Sequence, residues 1–600
     1  MRPRRGTPDG RGRVRADDST PASAFRPPPP PSRPWLWFAA LWLIAAVPLL
    51  ARLGETPPFP RNWEAYTGWH LLDGWVDQPP DPARVLALTD GLMTDSGQGP
   101  LVGLPAWLGV QVGGVGLWSL RTPVAIVAAL AVPLLWLAGR RLLPARTALL
   151  AALLLAAAAP FLFYGRTATL VGISLVPELL TLLALAGTLA ATSAVAGWRW
   201  LALLQLSLLA GEYAYAPVRL LWPVSVVALA AALAADRDRG RDRARWRAGA
   251  LLLTATLLPV ALVAIGWATG SADPATAATG YFNARGEQLL ASGFVDDEVL
   301  RALASDGDGN AAPPPESELV ARLVARNGGV LMGLLADRDT RPIVTDYWNE
   351  QGRLWPAPVG IALALGLLAA LWQAVRRRRP EFGLLLLVTA ALTLPLLLTT
   401  KVHVGRLLPA LPFLLLLAAV GADAVGTGLA RTADALLGSR AAGPIRSVAR
   451  LVPPTALLVV VVLGSRAEFA VPSPANRQTA TTSAIAKARA ALPATGLLAV
   501  VDDPALGAEI EQVHIADARL LLDRAYRFVD LGQSGGTLPP PDPHRPTLLS
   551  GDILGRLRDG TLPLPCDLRY LVAPEVADAF RQALAGARCG EPPMVGVLPQ

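Results

Sequence analysis

One acid stands apart in this chain of 600 residues. Glu64 lies in the aromatic stretch PPFPRNWEAYTGWHLLDGW (57–75), between Trp63 and Tyr66, just past a long apolar run from Pro34 to Leu53. If that run crosses a membrane, Glu64 sits at its far lipid–water boundary, where a carboxylate is well placed to take a proton. The plainer alternative is an interfacial acid paired with Arg61 or solvated. Asp73 and Asp77 read as solvated, and Asp95, in TDSGQGP (94–100), is a weaker alternative acid. Glu178 follows Pro177 inside an apolar run, a depth at which carboxylates face a cavity or a partner. His514, His544 and the other two histidines are scattered singly, and no outer cluster has metal-ligand spacing. No metal or other cofactor is therefore expected, with a divalent ion left open.

These residues need elements to hold them. The chain is 52% hydrophobic and 17% charged, with a mean hydropathy of +0.41. A soluble domain carries nearer a quarter charged residues, and here the apolar residues gather into runs close to the ~20 that cross a bilayer. Leucine and alanine dominate those runs, which favours helices over barrel strands. The net charge of +8 suggests nucleic acid, but the arginines form short blocks between apolar runs, where they set topology instead. No nucleic-acid partner is expected.

Residues 1–33 are rich in arginine and proline and read as a disordered tail, held cytoplasmic by its arginines. The first span then runs outward. Further spans are expected near 120–139, 147–164, 170–192, 200–214, 217–235, 249–268, 355–374, 382–400, 407–425 and 451–465, about eleven in all. Cytoplasmic loops then hold Arg140, Arg141, Arg146, Arg199, the run 236–247, Arg376 to Arg379, and Arg431, Arg440, Arg446 and Arg450. The segment 100–118, broken by prolines and glycines, reads as a helix on the outer membrane surface. Outer loops cover 54–119 and 269–354, and the membrane domain covers 34–465. Residues 466–600 read as a small extracytoplasmic α/β domain, with strands at GLLAVVDD (496–503) and RYLVAP (569–574) and a partly helical stretch between them. Cys566 and Cys589 lie there, and a disulfide between them is open.

Four stretches resemble the GT-C superfamily of membrane glycosyltransferases, in the family-39-type branch of protein O-mannosyltransferases and lipid A aminoarabinose transferases. They are PPFPRNWEAYTGWHLLDG, the stretch 119–170, GEYAYAPVRLLWPV (211–224) and VHVGRLLPALPFLLLLAAVGADA (402–424). The resemblance implies an all-α polytopic fold of GT-C type and an inverting transferase. It would move a hexose or pentose from a polyprenyl-phosphate donor, held partly in membrane lipid, to a cell-envelope acceptor outside the inner membrane. It also implies roles. Glu64 would take the acceptor's proton. Arg166, Arg219, Lys401, His403 and Arg406, all at outer span ends where topology asks for no positive charge, would hold the donor phosphate. Tyr213, Tyr215 and Glu212 would bind the sugar or acceptor, Glu212 alternatively pairing with Arg219. Two departures stand out: Trp63-Glu64 replaces the family's usual Asp-Glu, and Thr167 stands beside Arg166 where an acid is common. A transporter or flippase of lipid-linked sugars would need internal repeats, and none is visible. A non-catalytic envelope scaffold is the other alternative.

Overall fold

The computed structural model describes residues 33–51, 53, 99–114, 117–214, 216–235, 241–268, 316–335, 355–398, 404–441 and 443–470, five short strands between 498 and 597, and Asp578, Arg581 and Gln582. The chain is a mostly helical, multi-pass membrane protein. Seven of its described helical segments are long and apolar enough to cross a bilayer. They coincide with the expected spans at 120–139, 170–192, 200–214, 217–235, 355–374, 407–425 and 451–465. The other four expected spans coincide with the helices Pro34–Leu50, Ala145–Ala157, Arg241–Ala268 and Pro380–Thr393, outside that set of seven.

In chain order the helices are α1 (Pro34–Leu50), α2 (Gly99–Gly113), α3 (Leu117–Ala128), α4 (Ala131–Leu142), α5 (Ala145–Ala157), α6 (Ala159–Tyr164), α7 (Leu170–Ile173), α8 (Leu175–Ala190) and α9 (Ala194–Glu212). There follow α10 (Leu221–Ala235), α11 (Arg241–Ala268), α12 (Glu316–Leu335), α13 (Ala357–Val375), α14 (Pro380–Thr393), α15 (Val404–Leu407), α16 (Leu411–Ala441) and α17 (Gly443–Ala470). Tight 3-10 turns at Ala216–Leu220, Leu394–Leu398 and Leu408–Ala410 join some of them.

Prolines divide several expected spans. Pro133 has no N–H to return to Ala129, whose carbonyl instead takes the Val132 N–H at 3.3 Å. The run 120–139 is therefore two helices, α3 and α4. Pro160 does the same near Ala158, whose backbone is extended, and separates α5 from α6. Other elements are longer than expected. Ser193 caps α9, its Oγ accepting from Ala196 N at 3.3 Å, so that helix starts six residues before position 200. The arginine run 236–247 is helical from Arg241 onward rather than loop. Helix α16 has 31 residues, about 46 Å at 1.5 Å per residue, well beyond a hydrocarbon core of ~30 Å.

The segment 100–118, expected on the outer membrane surface, forms α2, which packs back on α3. Gly114 has φ +77°, the left-handed conformation that lets the chain reverse. Val102, Ala106 and Val110 recur every four residues and bury against Leu120, Val124, Ala168, Leu170 and Ile173. The outer loop 269–354 also contains a helix that its periodicity allows. In α12, Leu323, Asn327, Val330 and Leu331 share the buried face, and Asn327 donates its side-chain N–H to the Leu397 carbonyl at 3.0 Å.

The bundle sorts its helix ends into two sets. Ser465 of α17 donates to the Ala157 carbonyl at 2.5 Å, and Pro356 lies against Gly464, so α13 begins where α5 ends. At the other end Arg146 of α5 pairs with Asp423 of α16 at 2.8 Å. Arg247, buried in α11, donates to the Leu189 carbonyl at 2.7 Å and the Ala232 carbonyl at 3.2 Å, so α8 and α10 end together there. This is the end that the arginine blocks marked as cytoplasmic.

Near residues 498–597 the chain forms a five-stranded, all-parallel sheet in the order β2-β3-β1-β4-β5, with β1 at Leu498–Val501, β2 at Arg527–Asp530, β3 at Thr547–Ser550, β4 at Arg569–Val572 and β5 at Val595–Val597. In register, Leu498 sits between Leu548 and Arg569. The two strands expected from sequence are β1 and β4, and β2, β3 and β5 complete the sheet. Parallel neighbours require crossover connections. Within the stretch 505–531, expected to be partly helical, Arg527–Asp530 is the strand β2; its other residues and the pair Cys566 and Cys589 lie outside the described residues.

Among the described helices, α13 and α16 come into backbone contact. A Cβ built on Gly366 would lie 1.7 Å from the Leu417 carbonyl oxygen, and one on Gly421 would lie 1.9 Å from that of Ala362. Small residues here let two backbones touch. Gly366→Val should therefore destabilise the protein by about 1–3 kcal/mol, read as a lower unfolding temperature in detergent. Gly383→Ala, where a Cβ meets nothing within 4 Å, should leave that temperature unchanged or slightly raised.

Candidate active site at the outer helix ends

The C-terminal end of a helix carries four carbonyls with no partner inside the helix. Water satisfies them in a soluble protein, but in a membrane interior other protein groups must. Helix α1 ends this way, inside the bundle, with Leu49 and Leu53 both buried. Arg121 of α3, wholly buried, donates its Nη1 to the Leu53 carbonyl at 3.0 Å. Arg166, in the link between α6 and α7, is 7% exposed. Its Nη1 donates to the Pro48 carbonyl at 3.3 Å and its Nη2 to the Ala51 carbonyl. Two cations thus meet the negative end of the α1 dipole. The chain that emerges there leads to Glu64, which itself lies outside the described residues.

The other residues singled out in sequence fall as follows. Arg219, on the 3-10 turn Ala216–Leu220, faces the end of α9: its Nε lies 3.7 Å from Glu212 Oε2 and donates to the Glu212 carbonyl at 3.2 Å. Of the two roles open to Glu212, the structure holds the ion pair. Tyr213 closes α9 and is half-buried. Arg406 lies on α15, half-buried, and α15 packs on α6, whose far end carries Arg166. The 3-10 turn at Leu408–Ala410 touches both α7 and α14, and α14 also meets the turn that carries Arg219. Arg166, Arg219 and Arg406 therefore share one end of the bundle. Tyr215, Lys401 and His403 lie outside the described residues.

Thr167, the residue in place of the family's second acid, is wholly buried. Its hydroxyl donates to the Tyr164 carbonyl at 3.1 Å and lies 3.1 Å from the Thr169 hydroxyl. It serves the turn that presents Arg166. Among the described residues, no group of three or more histidine, cysteine or acidic side chains is placed to hold a metal.

Sequence reasoning passed over Arg121. The signal was present: it is an arginine at the outer end of a span, the same criterion that selected Arg166 and Arg219. Glu178 was noted without an assignment. It lies in the first turn of α8, wholly buried, and neither carboxyl oxygen has a hydrogen-bond partner among the described residues. The nearby hydroxyl of Thr181 donates to its own helix, to the Pro177 carbonyl at 2.8 Å. Buried polar side chains gather around this end of the bundle: Ser119, Arg121, Arg166, Thr167, Thr169, Ser174, Glu178 and Glu212. Such groups are costly in lipid and concentrate where ligands or protons are handled.

An unsatisfied buried polar group costs about 1–3 kcal/mol. Glu178→Met, close in volume and free of that cost, should raise the unfolding temperature in detergent. A fall instead would show that the carboxyl makes a stabilising contact.

Residues 97–265 match the family model described as Dolichyl-phosphate-mannose-protein mannosyltransferase. Among solved structures, ArnT from Cupriavidus metallidurans in the apo state aligns with 92% of this chain and 96% of its own, at 14% identity and a TM-score of 0.49. The same protein bound to undecaprenyl phosphate aligns with 90% of this chain and 97% of its own, at 15% identity and a TM-score of 0.48. The apo oligosaccharyltransferase of Archaeoglobus fulgidus aligns with 81% of this chain at 13% identity and a TM-score of 0.43, and this chain spans 64% of its length. No curated protein sequence matches. The family segment contains Arg121, Arg166, Glu178, Glu212 and Arg219. Over residues 97–265 the chain is therefore similar to that mannosyltransferase family.

Proposed function

We propose that the chain is an inverting glycosyltransferase of the inner membrane, with about eleven spans, a cytoplasmic N-terminus and its site on the outer face. It transfers a sugar from a polyprenyl-phosphate carrier to a hydroxyl or amine of an envelope acceptor. The observation that carries this reading is the family segment at 97–265, whose helices bring buried cations and acids to one end of the bundle. The family's description names a dolichyl-phosphate-linked mannose donor, which supports a prenyl-phosphate donor here.

In this reading the donor's lipid lies among the helices and its phosphate lies at their outer ends. Glu64 takes the proton from the acceptor as the acceptor oxygen or nitrogen attacks the anomeric carbon on the face opposite the leaving group. The bond from that carbon to the phosphate oxygen breaks, and the prenyl phosphate leaves with the electron pair. Arg219 and Arg406, with Lys401 and His403, stabilise the charge that develops there. Glu212 holds Arg219 in place, and Tyr213 and Tyr215 flank the sugar. The extracytoplasmic sheet lies beyond the transfer site in sequence and is assigned no step.

Glu64→Gln keeps the size of the side chain and removes the base. In membranes carrying the full-length protein, sugar transfer from prenyl-phosphate donors should fall by about 10²–10⁴-fold, with expression and unfolding temperature unchanged. Transfer at the parental rate would remove Glu64 from the mechanism and favour a scaffold.

A further inference from the structure

Arg121 and Arg166 reach the same six residues of chain from different elements. Arg121 comes from the second turn of α3 and Arg166 from the link between α6 and α7. Both aim at the exit of α1: Pro48, Ala51 and Leu53. The Ala51 backbone is extended, and its N–H still returns to the Val47 carbonyl at 3.0 Å. The chain thus leaves the helix at a point pinned from two sides. Leu53 and Glu64 are separated by 64 − 53 = 11 residues.

Pinning matters because a helix end inside a membrane protein has few cheap arrangements. Each freed carbonyl must find another donor. A hydroxyl or an indole N–H satisfies one carbonyl, whereas a guanidinium presents several donors in a fixed plane and meets two carbonyls at once. Arg166 does this with Nη1 and Nη2. Arg121 adds a third carbonyl from α3, so a shift of α1 along its axis would break bonds to two separate elements together.

We propose that Arg121 and Arg166 are positioning residues for sugar transfer: they fix the outer exit of α1 and so the start of the chain that carries the catalytic acid. Arg166 is thereby moved from the phosphate-binding set to the scaffold that supports the base. The inference rests on the proposed glycosyltransferase reading for its catalytic consequence, but the pinning itself can be measured without it.

The two residues should respond differently to lysine. Arg121→Lys keeps a donor for the Leu53 carbonyl, whereas Arg166→Lys cannot span Pro48 and Ala51. The test uses the full-length protein in nanodiscs, with Arg121→Lys, Arg121→Met, Arg166→Lys and Arg166→Met. Amide hydrogen exchange is followed in a peptide covering 44–54, undecaprenyl phosphate binding is measured as the probe of the phosphate site, and kcat and KM are measured with the donor active in the parent. Arg166→Lys, Arg166→Met and Arg121→Met should speed exchange of the Ala51 amide at least tenfold and lower kcat, with undecaprenyl phosphate affinity and donor KM within about twofold. Arg121→Lys should stay near the parent in all four. Where a methionine variant does not fold, the lysine pair alone decides the matter. Unchanged exchange in Arg166→Lys overturns the proposal, whether or not undecaprenyl phosphate affinity falls, and a fall would return Arg166 to the phosphate site. If exchange rises as expected but the parent binds no undecaprenyl phosphate and transfers no sugar, the pinning stands and the glycosyltransferase reading is what fails.

Discussion

A helix that ends inside a membrane protein leaves carbonyls that neither water nor lipid can satisfy. Much of this bundle is organised around that constraint. At the end expected to lie outside, α1 stops within protein, and two buried arginines supply the missing donors. At the opposite end, α8 and α10 stop beside each other, and buried Arg247 donates to both. In each case a guanidinium joins elements distant in sequence, and its charge lies at the negative end of a helix dipole. A lysine at these places would bring the charge but not the fork.

Three other arginines at the opposite end act otherwise. Arg140 lies over the Trp136 ring with 4.7 Å to its centroid, and Arg141 over that of Trp200 at 4.8 Å. Arg376 lies over Trp372 at 5.6 Å. Aromatic rings at a membrane boundary accept a cation on their faces while the charge stays near water. One residue type thus does two jobs, sorted by depth: inside the bundle it closes helix ends, and at the boundary it stacks.

The sequence made the helical, membrane-spanning character legible because runs of leucine and alanine admit few other readings, and arginine blocks between them marked one end. Helix boundaries were less legible. Pro133 and Pro160 divide apolar runs that hydropathy alone reads as continuous, and the Ser193 cap extends α9 backwards into a segment read as loop. Helix α12 was missed because its buried face is a few positions in a stretch otherwise polar and low in complexity. For the site, the rule that outer arginines need a reason found Arg166, Arg219 and Arg406, but what a guanidinium touches depends on which distant backbone arrives beside it. Nothing in GRTATL says that Arg166 meets Pro48 and Ala51. The Glu212–Arg219 pair was closer to the surface of the sequence, seven residues apart across a turn.

The carboxylates of the family segment sharpen what one acid must do. Glu212 has its charge balanced by Arg219, so it is poorly suited to taking a proton from an acceptor. Glu178 is wholly buried, one turn inside α8, and an ionised carboxyl there would lack a described partner. Thr167 has no carboxylate to offer and its hydroxyl already donates to Tyr164. An inverting displacement needs one base, not two, because no covalent glycosyl intermediate has to be resolved. In the proposed reaction one acid of the stretch beyond α1, Glu64, is therefore chemically sufficient, and the place where α1 ends is the coordinate on which that proposed base depends.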